Sequence, residues 1–263
     1  MSEIEALILG IVQGLTEFLP ISSSGHLLLS KEILGINDGG ATFEVLVHAA
    51  TVLSTLTVFR NDILKLIAGL FKFKYNEETI YIFKIIISMI PIMVVGLVFK
   101  DKVVELFGEG PRFIGFMLLV TATLLLFTHY VKKRTKPISY GNAFVIGLAQ
   151  ACAVLPGLSR SGATISTGLL LGNNKNEIAK FSFLMVLVPI LGEAILELMD
   201  GKFSPTESGI STLSLTVGFI GAYLSGLIAC KFMIKLVRQV KLLWFAIYCA
   251  IIGIVAILFS ILF

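Results

Sequence analysis

The sequence is poor in charge. Of its 263 residues, 14% are Asp, Glu, Lys or Arg and 56% are apolar, and the mean hydropathy is +0.95. Soluble domains carry about 25% charged residues, so this composition excludes an ordinary cytosolic enzyme and a disordered chain. Because only a lipid-facing surface stabilises such a chain, we predict an integral membrane protein. The net charge of +4 then reports orientation across the membrane and predicts no binding of nucleic acid.

Cysteine is also scarce. Cys152, Cys230 and Cys249 lie in apolar stretches, at spacings unlike those of metal sites. An odd number of cysteines without neighbouring ligands predicts neither a disulfide scaffold nor a zinc site. We expect no cleavable signal either, because the sequence opens with Glu3 and Glu5 instead of a basic region.

Long apolar runs are what the sequence has in abundance. A helix that spans a bilayer needs about 20 residues, and several runs approach that length. They cover residues 41–59, 81–99, 112–130, 178–199, 211–230 and 242–262. We therefore predict a single all-α membrane domain over 1–263, with about six transmembrane helices.

Two other apolar stretches are shorter, and each contains a break. The first comprises residues 6–19, a break at 20–25 and a continuation at 26–34; the second comprises 143–155, a break at 156–162 and a continuation at 163–171. Stretches of about 10–14 residues are too short to cross and indicate re-entrant helix–loop–helix segments. Because irregular backbone at membrane depth must be buried in protein or line a watery cavity, we expect the functional site at these breaks.

Basic residues are concentrated in three connections between the apolar runs. They are Arg60, Lys65, Lys72 and Lys74, then Lys132, Lys133, Arg134 and Lys136, then Lys231, Lys235, Arg238 and Lys241. The connections near 100–111 and 200–210 hold fewer bases and several acids. The positive-inside rule therefore places the three basic connections in the cytoplasm and both termini outside.

The two broken stretches are related by an internal repeat. A shift of 137 positions aligns Gly10 with Gly147, Gln13 with Gln150, Ser22 with Ser159, Ser24 with Ser161 and Gly25 with Gly162. Each half continues with three spans, an odd number, so the halves at about 1–130 and 141–263 must cross the membrane in opposite senses. This pattern predicts an inverted-topology repeat, which brings broken helices together near the membrane midplane.

Few acidic, basic or histidine side chains lie in these stretches. Glu17 and His26 are the ones between residues 6 and 30, and Arg160 is the one between 141 and 171. Ionisable groups at membrane depth are costly unless they have partners, so each of the three is a candidate functional residue. The alternative is a structural ion pair between Glu17 and Arg160.

Serine and glycine dominate both breaks. The clusters are Ser22, Ser23, Ser24 and Gly25, and Ser159, Arg160, Ser161 and Gly162, and each precedes an apolar helical run. Free amides at a helix N-terminus bind anions, and the planar fork of Arg160 suits phosphate oxygens. One such cluster is commonly just a cap or turn, but two in repeat-related positions favour binding of a phosphate or diphosphate.

Glu17 also offers a hard oxygen ligand. Mg²⁺ and Ca²⁺ commonly bind through one or two carboxylates together with substrate phosphates. Gln13 lies one turn earlier on the same helical face and offers an amide carbonyl. His26 is a candidate general acid or base near neutral pH, and the alternative for it is a helix cap or core contact.

At these residues the sequence resembles a known family. The segments from Gln13 to His26 and from Pro156 to Ile165, with Thr42–Val45, are similar to the signatures of bacterial undecaprenyl-diphosphate phosphatases, the bacitracin-resistance family. The resemblance extends along the whole chain. It implies hydrolysis of undecaprenyl diphosphate to undecaprenyl phosphate and inorganic phosphate, which recycles the lipid carrier for peptidoglycan and other cell-wall polymers. It also implies a divalent cation, a place in the bacterial inner membrane and an active site that opens to the outer face.

The resemblance assigns roles to individual residues as well. It places the family's acidic motif on Gln13 and Glu17, its serine on Ser23, its histidine on His26 and its phosphate-binding arginine on Arg160. Many members have Glu at the position of Gln13, so Glu17 is the main carboxylate of the predicted metal site. Diphosphate cleavage needs charge neutralisation and an in-line nucleophile. Either Ser23 attacks with help from His26, or His26 activates a water directly.

Two other functions fit part of the pattern. A transporter or flippase of the same lipid phosphate is one, because inverted repeats with broken helices are typical of transporters. The His, Ser and Glu side chains favour catalysis, since binding alone needs no general base, and a structural scaffold leaves Glu17 and Arg160 unexplained. Small-residue spacings such as Gly218 to Gly221 permit close helix contact in a homodimer or within one chain.

Overall fold

The computed structural model describes residues 1–36, 42–131, 135–199, 209–239 and 241–262. In chain order its helices are α1 (Glu3–Glu17), α2 (Ser23–Leu34), α3 (Thr42–Val58), α4 (Arg60–Leu70), α5 (Glu77–Val98), α6 (Lys100–Phe107), α7 (Gly110–Tyr130), α8 (Tyr140–Cys152), α9 (Arg160–Leu170), α10 (Lys175–Met185), α11 (Leu187–Met199), α12 (Thr212–Gln239) and α13 (Leu243–Leu262). Within the described ranges, the extended backbone pairing is one isolated bridge between Lys136 and Asn173. Lys132, Lys133 and Arg134 of the second basic connection, and most of the connection at 200–210, lie outside these ranges.

Several helices are long and apolar enough to cross a membrane. They comprise residues 77–98, 110–130, 175–196, 212–233 and 243–262. Helices α3 and α4 together provide a further candidate, interrupted by a bend of 75°. The prediction of an all-α, multi-pass membrane protein with about six spans is therefore confirmed.

The helices differ from the predicted spans in three places. Helices α4 and α6 occupy connections that were expected to be irregular, and the predicted span 178–199 consists of α10 and α11, which meet at Val186. Because the chain bends by 75° after α3, α4 does not continue that span. The bend suits its basic residues Arg60 and Lys65, which are expensive to place in hydrocarbon.

Both broken stretches form helical hairpins. Helices α1 and α2 flank residues 18–22, here called the first break, and α8 and α9 flank residues 153–159, the second break. Each break contains a proline, Pro20 or Pro156, which lacks a backbone donor and interrupts helical bonding. Gly157 has a φ of 92°, which glycine adopts without strain, so the second break can turn sharply there.

The two ends of each hairpin lie on one side of the molecule. Met1 and Ile36 flank the first hairpin and pack against the same apolar cluster. The bridge between Lys136 and Asn173 joins the chain before the second hairpin to the chain after it. The hairpins therefore enter and leave by the same side, which is the geometry of re-entrant segments.

Small residues bring the hairpins close to the spans. Helix α1 packs on α12, where a Cβ on Gly10 would collide with the carbonyl oxygen of Gly218. Helix α8 packs on α5, where a Cβ on Gly147 would collide with the carbonyl oxygen of Ser88. Such contacts are typical of helices packed in membranes. The division of the chain into two repeat halves stays a prediction.

Contacts between connections group the chain into two ends. The hydroxyls of Tyr75 and Tyr140 lie 2.9 Å apart, so the first basic connection and the start of α8 share one end. At the other end, Ser214 Oγ donates to the carbonyl oxygen of Met1 at 3.3 Å. The positive-inside rule predicts that the end with Tyr75 faces the cytoplasm.

This orientation can be measured by labelling with a membrane-impermeant maleimide. In a background with the three native cysteines replaced, Arg112→Cys at the start of α7 is expected to react in intact cells. Lys72→Cys, in the first basic connection, is expected to react after the cells are opened. Both positions are exposed, so accessibility differs by side of the membrane alone. The reverse labelling pattern would contradict the orientation.

Candidate active site

The two breaks are in direct contact. Ser161 Oγ donates a hydrogen bond of 3.0 Å to the carbonyl oxygen of Leu19 in the first break. In the same region, a Cβ on Gly25 would lie 3.1 Å from the Cα of Gly157 in the second break. The repeat-related segments therefore meet inside the protein, and Gly25 permits their close approach. Its predicted part in substrate binding stays a prediction.

One polar cavity lies between the breaks. It is lined by Glu17, Ser22, Ser23, Ser24, His48, Ala153, Leu158, Ser159, Arg160 and Ser161. The cavity thus brings together several site residues predicted from the sequence: the serines of both clusters, Glu17 and Arg160. Gln13, Gly25, His26 and Gly162, the other candidates, lie outside the lining of this cavity.

The two serine clusters share the same capping hydrogen bond. Ser22 Oγ accepts from the amide of Gly25 at 3.3 Å and caps α2, and Ser159 Oγ accepts from the amide of Gly162 at 3.1 Å and caps α9. An N-cap serine satisfies one of the amides that a helix leaves unpaired at its start. The repeat therefore provides two capped helix N-termini that meet at one cavity.

Four backbone amides at these N-termini stay free. Ser23 and Ser24 open α2, and Arg160 and Ser161 open α9; none of their amides bonds to another residue in the described ranges. The first amides of a helix point along its axis toward the positive end of the macrodipole. Because all four residues line the cavity, these donors are available to an anion.

Arg160 adds an unpaired cation. Its Nη1 is buried and has no hydrogen-bond partner in the described part of the chain. Glu17 is not within the 4.0 Å of an ion pair with this guanidinium; the imidazole of His48 is the ionisable group that lies within that distance of it. The alternative, a structural ion pair between Glu17 and Arg160, is therefore not supported by a direct contact between the two side chains. Arg160 as a whole is half-buried. A buried guanidinium nitrogen without a partner is costly, so it favours binding of an anion.

Glu17 is the most heavily bonded group of the cavity. Its Oε2 accepts from Gln13 Nε2 at 2.8 Å and from Ser23 Oγ at 2.5 Å, and His48 Nε2 lies 3.6 Å away. Ser23 is the hydroxyl of its cluster that donates to a carboxylate. Gln13 is fully buried behind Glu17 and holds it in place. This arrangement pairs a candidate nucleophile with a proton acceptor.

His26 is turned away from this pair. Its Nδ1 lies 2.8 Å from the carbonyl oxygen of Ser22, and its Nε2 lies 2.8 Å from the hydroxyl of Tyr248 on α13. The predicted assistance of Ser23 by His26 would need a hydrogen bond between the two side chains. Both ring nitrogens of His26 have other partners in this structure. The roles of the candidate residues stay predictions, and the geometry ranks Glu17 before His26 as acceptor of the Ser23 proton.

His48 is the residue of the cavity that the sequence reasoning missed. It lies in the predicted span 41–59, and an ionisable side chain inside a span was a sufficient signal. Its Nδ1 lies 2.7 Å from the carbonyl oxygen of Glu44, one turn earlier on α3, so its Nε2 faces Glu17. The side chain of Glu44 pairs with Lys31, which ties α3 to the end of α2.

A second cavity adjoins the first. It shares Glu17, Arg160 and Ser161 with the polar cavity and is otherwise lined by Phe18, Thr51, Val52, Thr55, Ser182, Phe183, Val186 and Ile190. The aromatic and aliphatic members come from the first break, α3, α10 and α11. The site is therefore amphipathic, with polar side chains and Arg160 at one end and an apolar wall at the other.

Comparison with known proteins gives a family for this chain. Residues 6–255 match the profile of the family described as Bacitracin resistance protein BacA. The chain belongs to this family. It is 57% identical to the undecaprenyl-diphosphatase of Parabacteroides distasonis, over 98% of each chain, and 56% identical to that of Bacteroides fragilis, over 99% of each. The enzyme of the same name from Halothermothrix orenii is 40% identical, again over 99% of each chain.

The donors of this BacA-family site fit a cation that is held in part by substrate. Glu17 Oε1 accepts no hydrogen bond from a described residue, whereas Oε2 is occupied. Across the described ranges, no group of three or more His, Cys, Asp or Glu side chains could hold a metal. One free carboxylate oxygen beside a phosphate site matches Mg²⁺ or Ca²⁺ bound through a carboxylate and substrate oxygens.

Thr121 on α7 holds the second break, and its removal is a test of the site's rigidity. Its Oγ1 accepts from the amide of Ser159 at 3.0 Å and lies 3.3 Å from the carbonyl oxygen of Gly157. Thr121→Val keeps the shape but leaves the buried Ser159 amide unpaired, at a cost of about 1–3 kcal/mol. We expect a lower midpoint of thermal unfolding in detergent.

The matched control for this prediction is Thr123→Val on the same helix. Thr123 is exposed and donates to the carbonyl oxygen of Leu119 within α7. Its replacement is expected to change the midpoint little, because no break depends on that hydroxyl. Equal midpoints for the two variants would show that Thr121 does not support the second break.

Proposed function

We propose that this protein hydrolyses undecaprenyl diphosphate to undecaprenyl phosphate and inorganic phosphate. The observation that carries the proposal is the buried Nη1 of Arg160, which has no hydrogen-bond partner in the described ranges, on a residue that lines the cavity together with Ser23, Ser24 and Ser161. A desolvated cation among oriented N–H donors calls for an anion with several oxygens. The relatives' name, undecaprenyl-diphosphatase, supports a diphosphate as that anion. The product is the carrier of cell-wall polymers, and its recycling accounts for bacitracin resistance.

The amphipathic site supports a lipid diphosphate over a soluble one. The diphosphate lies in the polar cavity, against Arg160 and the amides of both helix N-termini. The first isoprene units then occupy the adjoining cavity, whose apolar wall includes Val52, Phe183 and Ile190. Because Arg160 and Ser161 line both cavities, a single molecule can occupy the two at once. The rest of the chain extends into membrane lipid.

The proposed reaction begins at Ser23. Its Oγ attacks the terminal phosphorus, the bridging P–O bond breaks, and undecaprenyl phosphate leaves. The hydroxyl proton moves to Glu17 Oε2, which already accepts the hydrogen bond of that hydroxyl at 2.5 Å. Arg160 and the free amides stabilise charge on the equatorial oxygens. Water then attacks the phosphoserine phosphorus and the Ser23 Oγ–P bond breaks. Ser23 recovers its proton from Glu17, and inorganic phosphate leaves with both protons of the water.

The second candidate is direct attack by water, which the resemblance also leaves open. In that scheme Glu17 or His48 positions the water, because both side chains line the polar cavity. Ser23 then supplies a hydrogen bond and no covalent bond. The Ser23–Glu17 contact favours the serine, since a nucleophile and its base must lie within hydrogen-bond reach.

A divalent cation belongs to the proposal. We assign Glu17 as its protein ligand through Oε1, and Gln13 as the group that orients the carboxylate, because Gln13 directs its Nε2 to Glu17. When bound, the cation neutralises charge on diphosphate oxygens. The predicted second ligand, the carbonyl of Gln13, is buried without a partner in the described chain and reaches the site only if the amide turns.

The membrane location follows from the spans and the substrate. We propose the bacterial inner membrane, with the site reached from the outer face, in agreement with the positive-inside rule. The alternative of a transporter or flippase gains no support from the relatives, which are named as diphosphatases. A homodimer also stays a proposal, because small-residue contacts such as Gly10 with Gly218 serve packing within one chain.

The test of this function is release of phosphate by the purified protein in detergent. With undecaprenyl diphosphate and Mg²⁺ or Ca²⁺ we expect free phosphate, and with EDTA we expect none. No release under any divalent ion would contradict the hydrolase. If EDTA leaves phosphate release unchanged, the proposed cation requirement is contradicted and the proposed hydrolysis is not.

Arg160→Lys tests the phosphate-binding group. Lysine keeps the charge but loses the planar fork that binds two oxygens, so we expect kcat/KM to fall about 100-fold without loss of folding. The matched control is Arg112→Lys at the exposed start of α7, which is expected to keep full activity. Near-normal turnover in well-folded Arg160→Lys would remove this role.

Ser23→Ala separates the two schemes of attack. If Ser23 attacks phosphorus, the variant keeps only background activity, and the losses in Ser23→Ala and Glu17→Gln do not add, because the residues act as a unit. If water attacks, Ser23→Ala costs a hydrogen bond, or about tenfold in rate. A Ser23→Ala enzyme with a tenth or more of normal activity would therefore favour water.

A further inference from the structure

The last span contacts the first hairpin at two successive residues. The hydroxyl of Tyr248 lies 2.8 Å from His26 Nε2, and the two rings are stacked with centroids 5.6 Å apart and planes 8° apart. The next residue, Cys249, is buried and directs its Sγ to the carbonyl oxygen of Pro20 at 3.6 Å. Helix α13 thus supports the loop that carries Ser23, although it contributes no residue to the lining of the polar cavity.

The hydrogen bonds of His26 determine its tautomer. Nδ1 lies 2.8 Å from the carbonyl oxygen of Ser22, and a carbonyl only accepts, so Nδ1 carries the hydrogen. In the neutral imidazole Nε2 then has a lone pair, and the hydroxyl of Tyr248 donates to it. Both ring nitrogens are therefore occupied, and neither is directed at the hydroxyl of Ser23.

Ser22 is the residue that this arrangement stabilises. Its φ is +69°, a conformation that residues other than glycine rarely adopt and that surrounding contacts must hold in place. Its carbonyl oxygen accepts twice from His26, from the backbone amide at 3.1 Å and from Nδ1 at 2.8 Å. Ser23 follows directly, so the direction of its hydroxyl toward Glu17 depends on the conformation of Ser22.

We propose that Tyr248 is a positioning residue that acts through His26. Its hydroxyl fixes the ring of His26, the ring fixes the carbonyl of Ser22, and Ser22 sets the geometry in which Ser23 meets Glu17. His26 is then a positioning residue too, and its Nδ1–H is the group that matters. This inference rests on the proposed hydrolysis, because the effect of these contacts is measured as the rate of the reaction in which Ser23 takes part.

Tyr248→Phe is the direct test, because it keeps the stacked ring and removes the hydroxyl. We expect kcat for undecaprenyl diphosphate to fall about tenfold while KM changes less than twofold, since loss of one hydrogen bond misdirects Ser23 but leaves Arg160 and the amides in place. Tyr223→Phe on α12 is the control. It also loses one hydroxyl contact, 3.3 Å from Thr57 Oγ1, and is expected to keep wild-type kcat.

The outcomes separate this inference from the hydrolase itself. A wild-type protein that releases no phosphate contradicts the proposed function. An active wild type whose Tyr248→Phe variant keeps full kcat contradicts the positioning role alone. A loss of kcat accompanied by an equally large rise in KM also contradicts it, because that pattern indicates a disturbed binding site rather than a misdirected nucleophile.

Two substitutions of His26 distinguish positioning from acid–base catalysis. The amide nitrogen of asparagine can take the place of Nδ1 and donate to Ser22, whereas that of glutamine takes the place of Nε2 and cannot. We therefore expect His26→Asn to keep at least about tenfold more activity than His26→Gln. A catalytic acid or base at His26 predicts that both lose about 10²–10⁴-fold, which would overturn the proposal.

The wild-type protein provides a measurement that no folding defect can obscure. With ¹⁵N-labelled histidine, NMR is expected to report hydrogen on Nδ1 of His26 and a hydrogen-bonded lone pair on Nε2. In Tyr248→Phe the Nε2 resonance is expected to shift toward that of a free lone pair, whereas Tyr223→Phe leaves it unchanged. Hydrogen on Nε2 in the wild type would overturn the chain of contacts.

Discussion

Unpaired amides at the starts of α2 and α9 are the constraint on which the rest of the site depends. At membrane depth no bulk water pairs with them, so each helix start must bond within the protein or to a ligand. Ser22 and Ser159 satisfy one amide each as N-caps. The remaining donors belong to residues that line one cavity together with Arg160, and the proposed oxygen-rich anion would supply acceptors for them.

The surrounding packing keeps these donors in place. Gly25 lets the two breaks approach, Thr121 holds the second break from α7, and Tyr248 on α13 holds the start of α2 through His26. Glycines at the interfaces let α1 and α8 approach the backbones of their spans closely. Residues distant in sequence thus stabilise a site that two short segments provide.

The sequence was sufficient to predict the fold class and the two breaks. It was insufficient where a side chain takes its orientation from a residue distant in sequence. Composition and the length of the apolar runs predict the spans, because the hydrocarbon core of the bilayer requires apolar side chains over a helix of about 20 residues. The division of a predicted span at Val186 carries no comparable signal, whereas the bend after α3 falls where the first basic connection begins, at Arg60. At the site, spacing and the repeat identified Glu17 and Arg160. The direction of His26 depends on Tyr248, 222 residues away, so no local pattern could have predicted it.

Hydrogen exchange at the two helix N-termini tests most directly whether they form a single diphosphate site. The measurement is amide protection at residues 22–25 and 159–162, with and without a methylene-bridged, non-hydrolysable analogue of undecaprenyl diphosphate. If both N-termini bind one diphosphate, the two segments gain protection together, at the same analogue concentration. Protection of one segment alone, or of neither under saturating analogue and divalent cation, would contradict the account.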